Sequence, residues 1–313
     1  MLNHEINSTN RLKNKIGPVI GIDLGGTKIL AGIADPDGRL LAQRSEPTAH
    51  GAGAPVLQQM ARLCGELAAD VGASLSEVVR MAIGIPSAVD PKTGLASLSP
   101  NLALPEDKPL SRLMQGFVPC PVLVENDVNL AAFGEAHAGI GKGKDSLVFL
   151  SFGTGIGMGT VIGGRLLRGA HGRAGEIAYL PIGDAPHLRA PSSPNGLLED
   201  AVGTPGIRAR YLSSGGSVAD LFDQATRGDA LALAALDEVA RNSAIGLAAI
   251  HALIDPSVTV IGGGFGSRPE FFERLQREIA LLLPFPCRLE PSRFGHEAGL
   301  AGAIMFALNH QAH

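Results

Sequence analysis

The chain has 313 residues, 45% of them hydrophobic and 18% charged, with a net charge of −4. That length suits two domains rather than one small core. The slight acidity excludes a broad basic face for a nucleic-acid backbone, and no run of 18 or more apolar residues exists to form a membrane-spanning helix.

The three cysteines, Cys64, Cys120 and Cys287, are scattered and odd in number. They fit a reducing, cytoplasmic compartment and argue against a cysteine-rich metal knuckle. Residues 1–16 are polar and lack the apolar core of a signal peptide, so a frayed tail is expected there.

The first apolar strand is expected at residues 18–23. A Gly/Thr turn, Leu24-Gly-Gly-Thr-Lys28, leads to a second strand at 29–34, and a turn at 35–38 leads to a third at 39–43. Strands joined by such tight turns form an antiparallel meander. A helix over 54–71, strands at 80–86 and 121–125, and a helix over 128–138 complete this half. The second half opens in the same way: a strand at 146–152, the turn Gly153-Thr-Gly-Ile-Gly157, a strand at 158–162, and a Gly163-Gly164 turn into Arg165. Position for position, Asp23-Leu-Gly-Gly-Thr27 parallels Ser151-Phe-Gly-Thr-Gly155, which reads as an internal duplication with two similar halves facing across a cleft. Helices are expected over 229–253, 269–283 and 298–308, with a strand at 257–261 running into Gly262-Gly-Gly-Phe-Gly266. Residues 183–195, with Pro186, Pro191 and Pro194, read as a loop. The expected partition is a tail at 1–16, a small N-terminal α/β domain of 17–122 plus 298–313, and a large C-terminal α/β domain of 123–297.

The glycine-rich turns bear on chemistry. No Gly-x4-Gly-Lys-Ser/Thr P-loop is present, and the first two turns lead into strands, where a dinucleotide fingerprint requires a helix. What remains are hairpin turns offering bare N–H groups and Thr hydroxyls, which can cradle phosphate oxygens. Asp23, at the end of a buried strand beside the first turn, either holds Mg²⁺, directly or through water, or caps the turn. Asp127, where a strand meets a helix, can accept a proton from an attacking hydroxyl or cap the helix, and the two roles are compatible. Asn126 beside it can bond neighbouring hydroxyls. Asn101, Glu176 and Glu199 are candidates to ring a sugar, whereas His171 and His187 are not spaced as a metal pair.

With these residues in view, the sequence resembles the ROK family of repressors and sugar kinases. The resemblance rests on Gly21-Ile-Asp-Leu-Gly-Gly-Thr-Lys28, Ser99-Pro-Asn-Leu102, Val124-Glu-Asn-Asp-Val-Asn129 with Gly134-Glu135, Phe152-Gly-Thr-Gly-Ile-Gly157, and His171-Gly-Arg-Ala-Gly-Glu-Ile177. It implies an α/β, actin-like or hexokinase-like ATPase fold with two similar domains around a central cleft. It also implies transfer of the γ-phosphoryl group of ATP, with Mg²⁺, to a hexose hydroxyl, with glucose the leading substrate. Asp127 matches the family's base, and Asn101, Asn126, Glu176 and Glu199 match its sugar ligands. Gly25, Gly26, Thr27 and Lys28, with Gly153, Thr154 and Gly155, match the phosphate motifs, and Gly263 and Gly264 the adenosine side. N-acetylmannosamine, N-acetylglucosamine and fructose are alternative substrates, and a non-catalytic sugar sensor is the alternative of another class. About sixteen residues before the first strand are too few for that class's winged helix. Dimers are common in the family, so a homodimer is a possible state.

Three departures stand out. Gly175-Glu-Ile-Ala-Tyr179 replaces the family's Gly-Glu-Ile-Gly-His, and residues 185–198 lack its zinc-binding cysteines. Ser87 follows Gly84-Ile-Pro86 where glycine is usual. A zinc-free site is expected, and the sequence leaves open whether Tyr179 contacts the sugar in place of the missing histidine.

Overall fold

The computed structural model describes residues 17–97, 105, 107–212 and 215–309. In the first half β1 (Val19–Leu24), β2 (Lys28–Ala34) and β3 (Leu40–Pro47) form the meander, and α1 (Pro55–Asp70) follows. Next come β4 (Arg80–Ile85), the short pair β5 (Ala88–Val89) and β6 (Ala96–Ser97), α2 (Leu110–Met114), β7 (Val122–Asn126) and α3 (Asp127–Ala138). The second half begins with β8 (Ser146–Phe152), β9 (Ile156–Ile162) and β10 (Arg165–Leu166). Five helices follow: α4 (Pro186–Arg189), α5 (Leu197–Val202), α6 (Thr204–Tyr211), α7 (Val218–Thr226) and α8 (Ala230–Ile254). The chain closes with β11 (Val258–Gly262), α9 (Pro269–Leu282), β12 (Leu289–Pro291) and α10 (Ala298–Asn309).

Two five-stranded sheets run in the orders β3-β2-β1-β4-β7 and β10-β9-β8-β11-β12. Each consists of two antiparallel pairings followed by two parallel ones, so the sequence repeat is a repeat of topology. The strands read as they do for a physical reason. β1, β4 and β11 lie inside their sheets with both faces covered, and their residues are almost all buried. β3 is an edge strand and alternates between exposed and half-buried positions.

The helices that end the two halves exchange sheets. α10, at the end of the chain, packs on β1, β2 and β4 of the first sheet, whereas α3 packs on β8 and β9 of the second. The two helices cross each other at Gly134 and Gly302. A Cβ on Gly302 would stand 1.8 Å from the carbonyl oxygen of Leu130, so only glycine permits that approach. β7 completes the first sheet, so the expected domain boundary at 122/123 falls inside a strand.

The segment at 183–195 differs from the expected loop. Pro186 opens α4 and Pro191 lies within a 3₁₀ turn at Ala190–Ser192. A fixed φ near −65° is already helical, so these prolines start turns of helix rather than prevent them.

Candidate active site

A cavity of about 1040 Å³ opens between the two sheets. Gly25, Gly26 and Thr27 line one side, and Gly153, Thr154 and Gly155 line the other. The two turns are braced by the same device. Thr48 Oγ1 donates to the carbonyl of Gly25 at 2.7 Å, and Thr204 Oγ1 donates to the carbonyl of Gly153 at 2.8 Å. The N–H groups of Gly25 and Gly153 are spent inside the turns, on Lys28 and Gly155. Those of Gly26, Thr27 and Thr154 have no hydrogen-bond partner among the described residues, which leaves them available to an anion.

Between the turns, the chain passes from β7 directly into α3. Asn126 is the helix cap: its Oδ1 accepts from Asn129 N at 2.9 Å, and its Nδ2 donates to the Ser87 carbonyl at 3.3 Å. Asp127 is therefore released from capping and occupies the first helical position, where its Oδ1 accepts from Val128 N at 2.8 Å. Burial, reinforced by the charge of Asp23, pushes the Asp127 carboxyl up to about 7. The backbone N–H groups of Val128 and Asp127 oppose that shift, and Glu176 adds to it. Burial also raises Asp23, to about 6, against the pull of Lys28. Glu176 and Glu199 are both raised, again mainly by burial. Glu199 Oε2 accepts from Ile156 N at 3.1 Å, fixing this carboxylate against the second turn. Three carboxyls line one cavity, a fourth stands behind Asp127, and all four are biased toward the protonated form.

The predicted residues divide into three groups. Asn126, Asp127, Glu176, Glu199 and the six residues Gly25–Thr27 and Gly153–Gly155 all line the cavity. Asp23, Lys28, Gly263 and Gly264 do not. Asp23 lies against Gly299 of α10, where a Cβ would come within 2.4 Å of its Oδ2, and Lys28 begins β2 as an exposed residue. Gly263 has φ +85° and backs onto the Phe152 peptide, with Gly264 beside Gly153, so these glycines support the second turn from behind. Asn101 lies outside the described residues.

Other lining residues were not singled out in the sequence. His50 reaches the cavity because Thr48 N bonds the Thr27 carbonyl, which carries the β2–β3 ladder one step further. Ser87, noted only as a departure, is a buried part of the wall. Tyr179 is 49% exposed and is not among the residues that line the cavity. Its neighbouring loop is anchored by Ser193 Oγ donating to Asp200 Oδ2 at 2.5 Å.

Duplicated sheets, facing Gly/Thr turns and a carboxyl at a helix N-terminus between them define the actin-like, hexokinase-like ATPase architecture. The chain belongs to the ROK family, whose model matches residues 19–310. A ROK hexokinase from Thermus thermophilus is 33% identical, with a TM-score of 0.79 over 93% of this chain and 97% of that one. A ROK family glucokinase from Streptomyces griseus, solved in complex with glucose and AMPPNP, is 28% identical, with a TM-score of 0.75 over 94% and 100% of the two chains. The bifunctional enzyme NanE/NanK of Brucella melitensis is 32% identical over 299 residues, 93% of this chain and 54% of that protein. The chain thus spans about half the length of that curated relative.

Proposed function

We propose that this protein is an ATP-dependent sugar kinase whose acceptor is a hexose hydroxyl, with glucose the leading substrate. One observation carries the reading: Asp127, with its carboxyl near pH 7, stands between two turns that offer free N–H groups to phosphate. A base whose pKa matches the working pH takes up a proton without being trapped in the protonated state. The sugar oxygen attacks the γ-phosphorus, the bond to the bridging oxygen of ADP breaks, and the hydroxyl proton passes to Asp127. Asn126, Glu176 and Glu199 bond the other sugar hydroxyls, a role in which Asn101 joins them. The turns at 25–28 and 153–155 hold the phosphates, with Gly263 and Gly264 on the adenosine side.

The donor set fits a Mg²⁺ ion that arrives with the nucleotide. Asp127 lines the cavity beside the two phosphate turns and Asp23 stands behind it, so these carboxylates would hold the ion, directly or through water. Among the described residues no group of three or more His, Cys, Asp or Glu side chains is placed to hold a metal. Mg²⁺ in such sites is held by one or two carboxylates plus phosphate. When bound, it would neutralise charge on the phosphoryl oxygens.

The names of the relatives support the coarse reading. One is a hexokinase, and another is a glucokinase solved with glucose and AMPPNP. The finer reading adds a zinc-free site in a cytoplasmic protein. It also adds that the two halves, one built on each sheet, close on the sugar. An assay of ATP consumption with glucose, N-acetylmannosamine, N-acetylglucosamine and fructose tests it. We expect sugar-dependent turnover, fastest with glucose. ATP hydrolysis indifferent to every sugar, or none at all, would refute it.

A further inference from the structure

We infer that Arg168 is a positioning residue: its ion pair with Glu125 locks the helix start that carries Asp127 to the loop that carries Glu176. The inference rests on the kinase reading only for what Asp127 and Glu176 do, since the clamp itself is geometric.

Glu125 is the residue before Asn126, at the end of β7, and is almost fully buried. Each of its oxygens is engaged. Oε1 accepts from Asn126 N at 2.9 Å and from Asn129 Nδ2 at 3.0 Å, which binds the carboxylate to the first turn of α3 on both sides of Asp127. Oε2 accepts from Arg168 Nε at 2.5 Å. Arg168 itself belongs to the other half of the molecule, two residues after β10. Its carbonyl accepts from Ala174 N at 3.0 Å, closing the loop that brings Gly172, Gly175 and Glu176 to the cavity wall. The guanidinium also lies over the ring of Phe306 on α10, 5.6 Å from its centroid.

One residue therefore joins three elements that the fold must hold in register, its side chain reaching two of them and its carbonyl closing the third. These are the strand end of the first sheet, the loop of the second and the helix that crosses between them. Asp127 and Glu176 have no direct bond to each other, so their spacing depends on what ties their carriers together. A charged, planar donor on a buried carboxylate is the strong form of that tie. Misplacing a reacting group by about 1 Å can slow turnover by roughly 10²-fold.

The test compares Arg168→Gln, Arg168→Lys and the double variant Glu125→Gln with Arg168→Gln. Arg168→Gln alone strands a buried carboxylate and can unfold the chain. The double variant removes charge and partner together and keeps the fold. Steady-state kinetics on the preferred sugar of the panel are read beside hydrogen exchange of peptides covering 122–130 and 168–176. We expect the double variant to lose about 10–100-fold in kcat. KM for sugar should rise several-fold, KM for ATP should stay within about twofold, and exchange should quicken in both segments but not across the two sheets. Arg168→Lys, with a cation but no fork, should recover part of the loss. Wild-type kcat and exchange in the double variant would overturn the inference, as would exchange that rises uniformly in step with global unfolding. If the wild-type chain turns over no sugar, the kinase reading fails and the exchange data alone decide whether the clamp exists.

Discussion

Replacing Asp127 by Asn keeps the shape of the side chain and removes its charge and its basicity. The structure makes opposite predictions for activity and stability. The carboxyl stands at about 7 in the folded chain against an ordinary 3.8, because it is buried beside Asp23 and Glu176. That is a gap of about three units at about 1.4 kcal/mol each, so ionising it in the fold costs at most about 4 kcal/mol. The side chain lines a cavity open to solvent, and screening there halves the figure to about 2 kcal/mol. Because the folded value lies above the unfolded one, the folded chain keeps a proton that the unfolded chain has released between about pH 4 and 7. Stability therefore falls as pH rises through that window, and the penalty is complete above it. Asp127→Asn should raise Tm by a few degrees at pH 8 and by much less at pH 4.5. Its kcat should fall by about 10²–10⁴-fold. Wild-type kcat should climb with pH along a limb centred near 7. Thermal unfolding at the two pH values and a coupled ADP assay across pH 5.5–9 measure all three. A variant that keeps half of its kcat, or that gains as much Tm at pH 4.5 as at pH 8, would refute the reasoning.

Four further outcomes follow from particular contacts. Gly155→Val would direct a Cβ to within 2.3 Å of Glu199 Oε2, so it should raise KM for the sugar as well as for ATP; a defect confined to ATP would show that Glu199 does not face the sugar. Gly302→Ala forces α3 and α10 apart, at a cost of about 2–3 kcal/mol or more, and denaturant unfolding should show that loss; an unchanged midpoint would refute the tight crossing. Purified active protein should contain far less than one zinc per chain by elemental mass spectrometry; a stoichiometric zinc whose removal abolishes activity would overturn the zinc-free reading. Small-angle scattering should show a smaller radius of gyration with the preferred sugar bound; an unchanged radius with a saturating substrate would count against closure.

The sequence disclosed what periodicity and punctuation can carry. Strands β1, β2, β4, β8, β9 and β11 were legible as apolar runs bounded by Gly/Thr turns, and the long helices α1, α8 and α9 as continuous amphipathic or Ala/Leu stretches. The short helices α5, α6 and α7 were not, because Gly196, Gly203, Pro205 and Gly215 break the pattern before a full helical period accumulates. In the site, residues on turns with a motif were visible, but those that enter through pairing were not. His50 arrives by extension of a β ladder, and Thr204 by capping a turn 51 residues earlier in the chain. Glu125 was read only as part of a motif, and its partner Arg168 lies 43 residues away, beyond any local spacing rule. Asp127 was legible as a candidate base or cap. The fold gives the cap to Asn126, which leaves the Asp127 carboxyl available for the proposed role of base.

That exchange of roles between Asn126 and Asp127 explains how a helix N-terminus can hold a carboxyl with a raised pKa. A capping carboxylate accepts N–H groups and sits in the positive end of the helix dipole, both of which favour the charged form and lower its pKa. With an amide as the cap, the first-turn N–H of Asn129 is satisfied without a charge. The carboxyl one position on meets only its own backbone and that of Val128, and these contacts lose to burial and to Asp23. Asp23 acts on it while packed against Gly299 of α10, which has no side chain. A side chain at 299 would displace Asp23 and relax the pressure on Asp127. The swapped helix, the glycine near its start and the amide cap on α3 thus act on one quantity, the proton affinity of Asp127.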